Sequence, residues 1–493
     1  MHTMKTALSL IAWVSGVLGG AWAVDEWFLP KFFPKITLFI GQFPWVGVVA
    51  GAIFVGSIGF WFGLRKRYKP VQPQPLAPTI PRGAKRIETV SDTTTPGITR
   101  TITTVEYLDG LPTTPNPTRR SLFEQARKLE AKSEFKQAIP LFQKLLEQPE
   151  SASEETALLI LIGNCFAQLS QLEEAEKHYA EALVKSQRLH NAEAEAVALG
   201  NLGIACAQKG DLDKALEHYR KALAIDERIG DPLGQAITLG NLGIAYAQKG
   251  DLDKAMEHHQ KALKIDERIG DPLGQASQLG NLGIVYRHKG DLDKALEHHQ
   301  KALAIDERIG NPMGQASDLG NLGIVYGQKG DLDKALERFQ QALNIHQNIG
   351  NLLGQATTLG NLGIVYRHKG DLDKALEHYQ KALSILEKIG NPLGQANQLG
   401  NLGLVYRQKG ELNKALEHYQ KALYIHEKIG NPLGQAHDLE SIGLLWAKKE
   451  DPVKALQHIH SALAIYERIG AKLEIERAKR NIAWVEKLKA EEK

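Results

Sequence analysis

Six asparagines return every forty residues: Asn201, Asn241, Asn281, Asn321, Asn361 and Asn401. A carboxamide can accept from one N–H and donate to one C=O, the two groups that each residue of an extended backbone offers. Packed helices lie about 8–10 Å apart and a strand advances about 3.3 Å per residue. A row of such amides on neighbouring helices would therefore meet about every third residue of a bound peptide. Asn is a poor helix former, so its regular place within a helical pattern needs a reason. The competing reason is local, a bond from each side chain to the preceding turn of its own helix.

A second periodic slot carries Arg287, Arg367 and Arg407, where other copies have Ala207, Ala247 and Gly327. The slot after it holds His288 and His368, alternating with Gln248, Gln328 and Gln408. One turn before the asparagines stand Ile237, Ser277, Ser317, Thr357, Asn397 and His437. Guanidinium groups pair with carboxylates in a two-pronged geometry, so this set suits an acidic segment or a C-terminal carboxylate. An ordinary solvated helix face explains the same residues without a ligand.

Other reactive side chains point to less. His218, His258, His298, His378 and His418 recur, but none has a second ligand four residues on. They read as solvated or half-buried helix positions rather than a metal ladder. Cys165 and Cys206 lie on apolar stretches and read as small buried hydrophobes. The chain has no phosphate loop, nucleophile elbow, HExxH or CxxC pattern. The expectation is a non-catalytic protein with neither cofactor nor metal.

The elements that must carry these residues are written in a forty-residue repeat. Close copies begin at Asn201, Asn241, Asn281, Asn321, Asn361 and Asn401, and a weaker one at Ser441. Two divergent copies, marked by Ala138 and Ala175, precede them and complete nine units. Within residues 231–270, Asp231 is placed to cap a first helix with Pro232 at its first position. Gly250 ends that helix, Asp251 caps a second, and Gly270 closes it. Leu233, Ala236, Leu239, Gly243 and Tyr246 form one apolar stripe, and Leu252, Ala255, His259, Ala262 and Leu263 form another. One unit cannot bury both stripes, so neighbours must stack.

Leu242, Gly243, Tyr246, Gly250, Ala255 and Ala262, with His259 in a usually aromatic slot, resemble the tetratricopeptide repeat signature. Tyr219, Tyr379 and Tyr419 keep the aromatic, while Cys206 and Trp446 depart from the pattern at the Tyr246 slot. The forty-residue unit is similar to the long-helix branch of spindle-orientation adaptors and kinesin light chains. The resemblance implies an all-α fold, a helical-hairpin solenoid coiled as a right-handed superhelix over residues 120–475. It further implies that the first helices line a concave groove, with the Asn ladder gripping an extended peptide. A capping helix over 476–493 is expected, with Leu473, Ile475, Ile482 and Val485 turned inward.

Ahead of the array the composition changes. Residues 6–24 are uncharged and long enough, at about 28 Å, to span a bilayer as a helix. Residues 36–64 are uncharged as well, with Trp45 and Trp61 near the two interfaces. The rival for the first segment is a signal peptide cleaved after Ala21-Trp22-Ala23. Arg65, Lys66, Arg67 and Lys69 place the array on the cytoplasmic side of a plasma or inner membrane. Glycines four apart, as at Gly47 and Gly51, permit close helix approach within one copy or between two, so a homo-oligomer stays open. Residues 65–119 read as a basic flank and a Pro/Thr-rich linker, with a small hairpin turning at Pro96-Gly97.

Sixty Lys and Arg against 57 Asp and Glu leave a formal charge of +3, with no basic stripe for nucleic acid. The expected function is a membrane-anchored scaffold that binds a protein or peptide, acidic in character, in the groove. An assembly factor for a membrane complex and a non-catalytic regulatory subunit of a bound enzyme are the alternatives.

Overall fold

The computed structural model describes residues 84–92, 99–107, 117–132 and 134–491. The two apolar segments at 6–24 and 36–64 and the turn at Pro96-Gly97 lie outside the described residues. No helix among the described residues is long and apolar enough to cross a membrane.

Two strands come first, β1 (Ala84–Asp92) and β2 (Thr99–Tyr107). They pair antiparallel, from Ala84 opposite Tyr107 to Asp92 opposite Thr99. Alternating Ile, Val and Thr favour this pairing, because β-branched side chains fit a pleated surface. This pair departs from an all-α chain. Everything described after it is helical.

The helices follow in hairpins: α1 (Pro117–Ala131) with α2 (Phe135–Leu146), α3 (Ala152–Gln168) with α4 (Leu172–Arg188), and α5 (Ala192–Gln208) with α6 (Leu212–Ile229). Then come α7 (Pro232–Lys249) with α8 (Leu252–Ile269), α9 (Pro272–His288) with α10 (Leu292–Ile309), and α11 (Pro312–Gln328) with α12 (Leu332–Asn348). The last are α13 (Leu352–His368) with α14 (Leu372–Lys388), α15 (Pro392–Lys409) with α16 (Leu412–Lys428), α17 (Pro432–Lys448) with α18 (Pro452–Ile469), and the closing α19 (Lys472–Glu491).

The boundaries follow from local chemistry. The Asp231 carboxylate accepts the Leu233 N–H at 3.0 Å and Pro232 occupies the first turn. Gly250, at φ 87°, and Gly270, at φ 69°, end the two helices in the left-handed region that glycine tolerates without strain. Each hairpin from α3 to α18 then closes by a small-against-large fit. A Cβ on Gly363 would stand 2.5 Å from Cε1 of Tyr379, and one on Gly203 would stand 2.5 Å from Cε1 of Tyr219. In two copies His259 and His299 fill the same slot against Gly243 and Gly283.

The core runs between repeats rather than inside them. One apolar cluster joins Ile204 of α5, Leu216 of α6, Leu242 of α7, Ala255 of α8 and Val285 of α9. Burying a large side chain such as Tyr379, 0% exposed, contributes about 1.5–3 kcal/mol. Much of that contribution vanishes if the neighbouring repeat is removed. Lys249–Asp213, Lys289–Asp253 and Lys369–Asp333 add ion pairs between successive copies along one edge. These are exposed, so each contributes about 0–1 kcal/mol.

Both ends are fastened by ionic groups. At the front, Arg119 of α1 reaches the buried Glu154 carboxylate of α3 at 2.6 Å. At the back, Glu440 of α17 is buried and accepts from Arg477 at 2.6 Å, Asn481 at 2.7 Å and Tyr466 at 2.9 Å. The closing helix starts at Lys472 rather than at 476. It turns Ala478, Ile482 and Val485 inward, whereas Leu473 is 82% exposed. Leu473 lies in the first turn of α19, where Ile475 and not Leu473 packs on the apolar cluster of α18.

Candidate functional site: the inner face of the first helices

The odd-numbered helices α3 to α17 are the first members of their hairpins. Successive ones touch across repeats, α3 with α5, α5 with α7, α7 with α9, α9 with α11 and α11 with α13. They form the inner layer of the array, and all six asparagines lie on it, one each on α5, α7, α9, α11, α13 and α15.

The six are not equivalent. Asn201, Asn241, Asn281 and Asn321 are 1%, 5%, 6% and 5% exposed. Asn361 and Asn401 are half-buried. Asn201 donates to the Asn164 amide oxygen at 3.3 Å, which also accepts from the Tyr179 hydroxyl at 2.8 Å. Asn401 lies 3.5 Å from Gln398 on its own helix. The front asparagines are thus part of a covered polar layer, and the back two face open space.

The arginines divide similarly. Arg287 and Arg367 each set a terminal nitrogen about 3 Å from the next residue's imidazole, 3.1 Å to His288 and 3.2 Å to His368. His288 and His368 are exposed. Partial desolvation of the ring, then the Arg367 charge, pushes the His368 pKa below its usual value. Burial pushes the Tyr419 phenol up to about 12, while Arg407 and then Arg367 pull it back. Both guanidiniums therefore stand within electrostatic reach of one phenol. Among the described residues, neither Arg367 nor Arg407 pairs with a carboxylate.

Arg407 and Asn401 line a recess of about 390 Å³ between α15, α17 and α19, together with His437, Asp438, Arg477 and Asn481. A smaller recess of about 210 Å³ lies between α9 and α11, lined by Ser277, Asn281, Ser317, Asn321 and Asp318.

The polar seam beneath this face was not visible as a site in the sequence. His299 is 0% exposed, and its Nδ1 stands 3.2 Å from the Asp318 carboxylate of the next repeat. Burial, then the Arg287 charge, lowers its pKa to about 3. Burial raises Asp318 well above a normal carboxylate. His426 and Asp438 repeat the pairing at 2.7 Å, and Asp226 bonds Thr238 at 3.0 Å with its pKa raised by burial to about 7. The partners are 19 or 12 residues apart, so only the stacking of repeats brings them together.

The periodic histidines serve the outer layer. His258, His298, His378 and His418 each donate Nδ1–H to the carbonyl four residues earlier at 2.8 Å. Their rings stack on Tyr246, Tyr286, Tyr366 and Tyr406 at 4.8–5.1 Å. Among the described residues no group of His, Cys, Asp or Glu is arranged to hold a metal ion. Cys165 and Cys206 are buried free thiols.

Stacked helix pairs with an inner layer of first helices define a helical-repeat solenoid. The tetratricopeptide repeat family model matches residues 154–228, 208–268, 234–308, 274–348, 315–388, 354–428 and 394–468. These matches cover more than half of the chain, and the protein belongs to the tetratricopeptide repeat family. Its array is a protein–protein interaction scaffold of that family, whose repeats are generally non-catalytic.

Among solved structures, the chain is similar to BtubC (BKLC) of P. vanneervenii, at 26% identity over 45% of this chain and 92% of that one, with a TM-score of 0.41. It also resembles a STAND signal-transduction ATPase with a tetratricopeptide repeat sensor from Pyrococcus horikoshii. That match has 19% identity, covers 76% of this chain and 58% of the other, and has a TM-score of 0.51. The apo quorum sensor NprR of B. thuringiensis matches at 13% identity over 70% of this chain and 98% of that one, with a TM-score of 0.51. No curated protein sequence matches the chain.

Proposed function

We propose that this protein is a membrane-anchored scaffold that holds an extended, acidic or carboxylate-ended segment of a partner protein against its first helices. One observation carries the reading. At the back of the array, half-buried Asn361 and Asn401 share the inner layer with Arg367 and Arg407, two guanidiniums with no carboxylate partner among the described residues. Amides that read a backbone and arginines that read a carboxylate are the two chemistries such a ligand needs. The uncharged runs at 6–24 and 36–64 and the basic cluster from Arg65 supply the anchor, with lipid on one side and the array on the cytoplasmic side.

The test is a proximity-labelling experiment with the full chain and a variant carrying Asn361→Ala, Asn401→Ala, Arg367→Ala and Arg407→Ala. Loss of the enriched partners, with helicity unchanged, supports the groove reading; an identical partner set rejects it. Exchanging residues 1–69 for an unrelated membrane anchor tests the rest. Retained partners favour a passive scaffold, and lost partners favour an assembly factor whose membrane segment contacts its clients.

A further inference from the structure

We infer that β2, Thr99–Tyr107, is a ligand this chain carries for the front half of its own groove. The β2 strand lies against four helices, α3, α5, α7 and α9, and each is the first helix of its repeat. It therefore runs across the inner layer and not along the outer one. The dimensions agree. Nine residues of strand reach about 26–30 Å. Four adjacent helices at about 8–10 Å spacing span about 24–30 Å between the first and last axes. That is one helix for about every three strand residues, the ratio an asparagine ladder would use.

The isoleucine slot changes exposure after the last helix that the strand lies against, although Asn321 on the following helix is still only 5% exposed. The isoleucine slot next to the asparagines reads Ile204, Ile244 and Ile284 at 4%, 6% and 4% exposed on α5, α7 and α9. The same residue type in the same slot is half-exposed at Ile324 on α11 and Ile364 on α13, beyond the strand's contacts. One turn earlier the change comes sooner: Val197 and Ile237 are buried, whereas Ser277 on α9, Ser317, Thr357 and Asn397 are half-exposed.

The strand also has a reason to stay. A sheet of two strands leaves β2 one edge that no further strand covers, and an isolated hairpin is marginal in water. Seated on the array, it gains a surface rich in carboxamides and β-branched apolar groups. Nine residues separate Tyr107 from Pro117, so the tether holds the strand at an effective concentration of about millimolar. An outside segment aimed at α3 to α9 must displace it, while the back half from α11 to α17 stays open. The inference rests on the groove reading for this consequence, but occupancy of the groove is tested by itself.

The probe is a fluorescein-labelled peptide with the sequence of β2, TRTITTVEY, added to the full chain in mild detergent. It is compared with a full chain in which Thr99–Tyr107 is replaced by nine alternating Gly and Ser residues. The replaced chain should bind the peptide at least about tenfold more tightly than the intact chain, because its groove is vacated and the tethered competitor is gone. Adding Asn241→Ala and Asn281→Ala to the replaced chain should weaken that binding. Equal affinity for both chains, or no binding to the replaced chain with its helicity intact, overturns the inference. If the replaced chain does not fold, amide hydrogen exchange on the intact chain decides. Thr99–Tyr107 should exchange at least about tenfold more slowly than in a synthetic peptide of residues 84–107, and equal rates overturn the inference. The partner-labelling test above reads Asn361, Asn401, Arg367 and Arg407 at the other end of the groove, so either idea can fail while the other stands.

Discussion

The front and back halves of the array are built from nearly the same sentence. Asn241 to Lys249 reads NLGIAYAQK and Asn361 to Lys369 reads NLGIVYRHK. Yet Asn241 and Ile244 are buried, while Asn361 and Ile364 are half-exposed. The hairpins beneath them close equally tightly but on different rings, Gly243 against His259 at 2.6 Å under Asn241 and Gly363 against Tyr379 at 2.5 Å under Asn361. The neighbour differs as well: β2 lies against α3, α5, α7 and α9. In a repeat protein, local sequence sets the hairpin, and non-local contacts set what each copy of the groove can do.

The largest effect should be blind to the two halves. Gly203→Ala and Gly363→Ala each push a methyl into a buried tyrosine and should each cost about 1–3 kcal/mol in urea unfolding of the array. A loss confined to one half would show that the cores, and not the cover, distinguish them.

The seam should respond to acid. His299 is buried and neutral with a pKa lowered to about 3 from 6.5. The unfolded chain therefore binds its proton first, and the stability His299 contributes is full above about pH 6.5 and falls as pH drops toward 3. The following repeat has Phe339 and Thr358 in the same two slots as His299 and Asp318. The single variant His299→Phe should flatten the loss between pH 7 and pH 5 by an amount on the order of 1–2 kcal/mol; Asp318 is kept because burial raises its pKa and its titration acts in the opposite sense. An unchanged slope in denaturant melts at the two pH values would remove the seam from the account.

A smaller effect separates the asparagines. Asn241→Ala, in the covered half, should cost about 1 kcal/mol because it breaks a buried polar layer. Asn401→Ala, half-exposed, should stay within about 0.5 kcal/mol. Equal costs would place both amides in one environment.

Much of this was written in the sequence, and the reasons are local. The caps Asp231 and Gly250, the proline at 232 and the three-and-four spacing of Leu239, Gly243 and Tyr246 act within a few residues of each other. They give the hairpins, and the forty-residue period gives their stacking. The Asn ladder could be read as an inner row for the same reason. Its unequal burial could not, because it depends on contacts between repeats and on segments, β2 among them, more than a hundred residues away from Asn241. The seam pairs His299–Asp318 and His426–Asp438 were hidden similarly, since each joins two repeats. Leu473 misled because it was counted in the α19 stripe with Ile475, whereas only Ile475 of that turn packs on the apolar cluster and Leu473 is 82% exposed.

The most direct measurement is thiol labelling of two single variants of the full chain, Ile244→Cys and Ile364→Cys, under native conditions. The covered groove predicts that Cys at 364 reacts at least about tenfold faster than Cys at 244, and that exchanging Thr99–Tyr107 for Gly and Ser brings the two rates together. Equal rates in the intact chain would contradict the account.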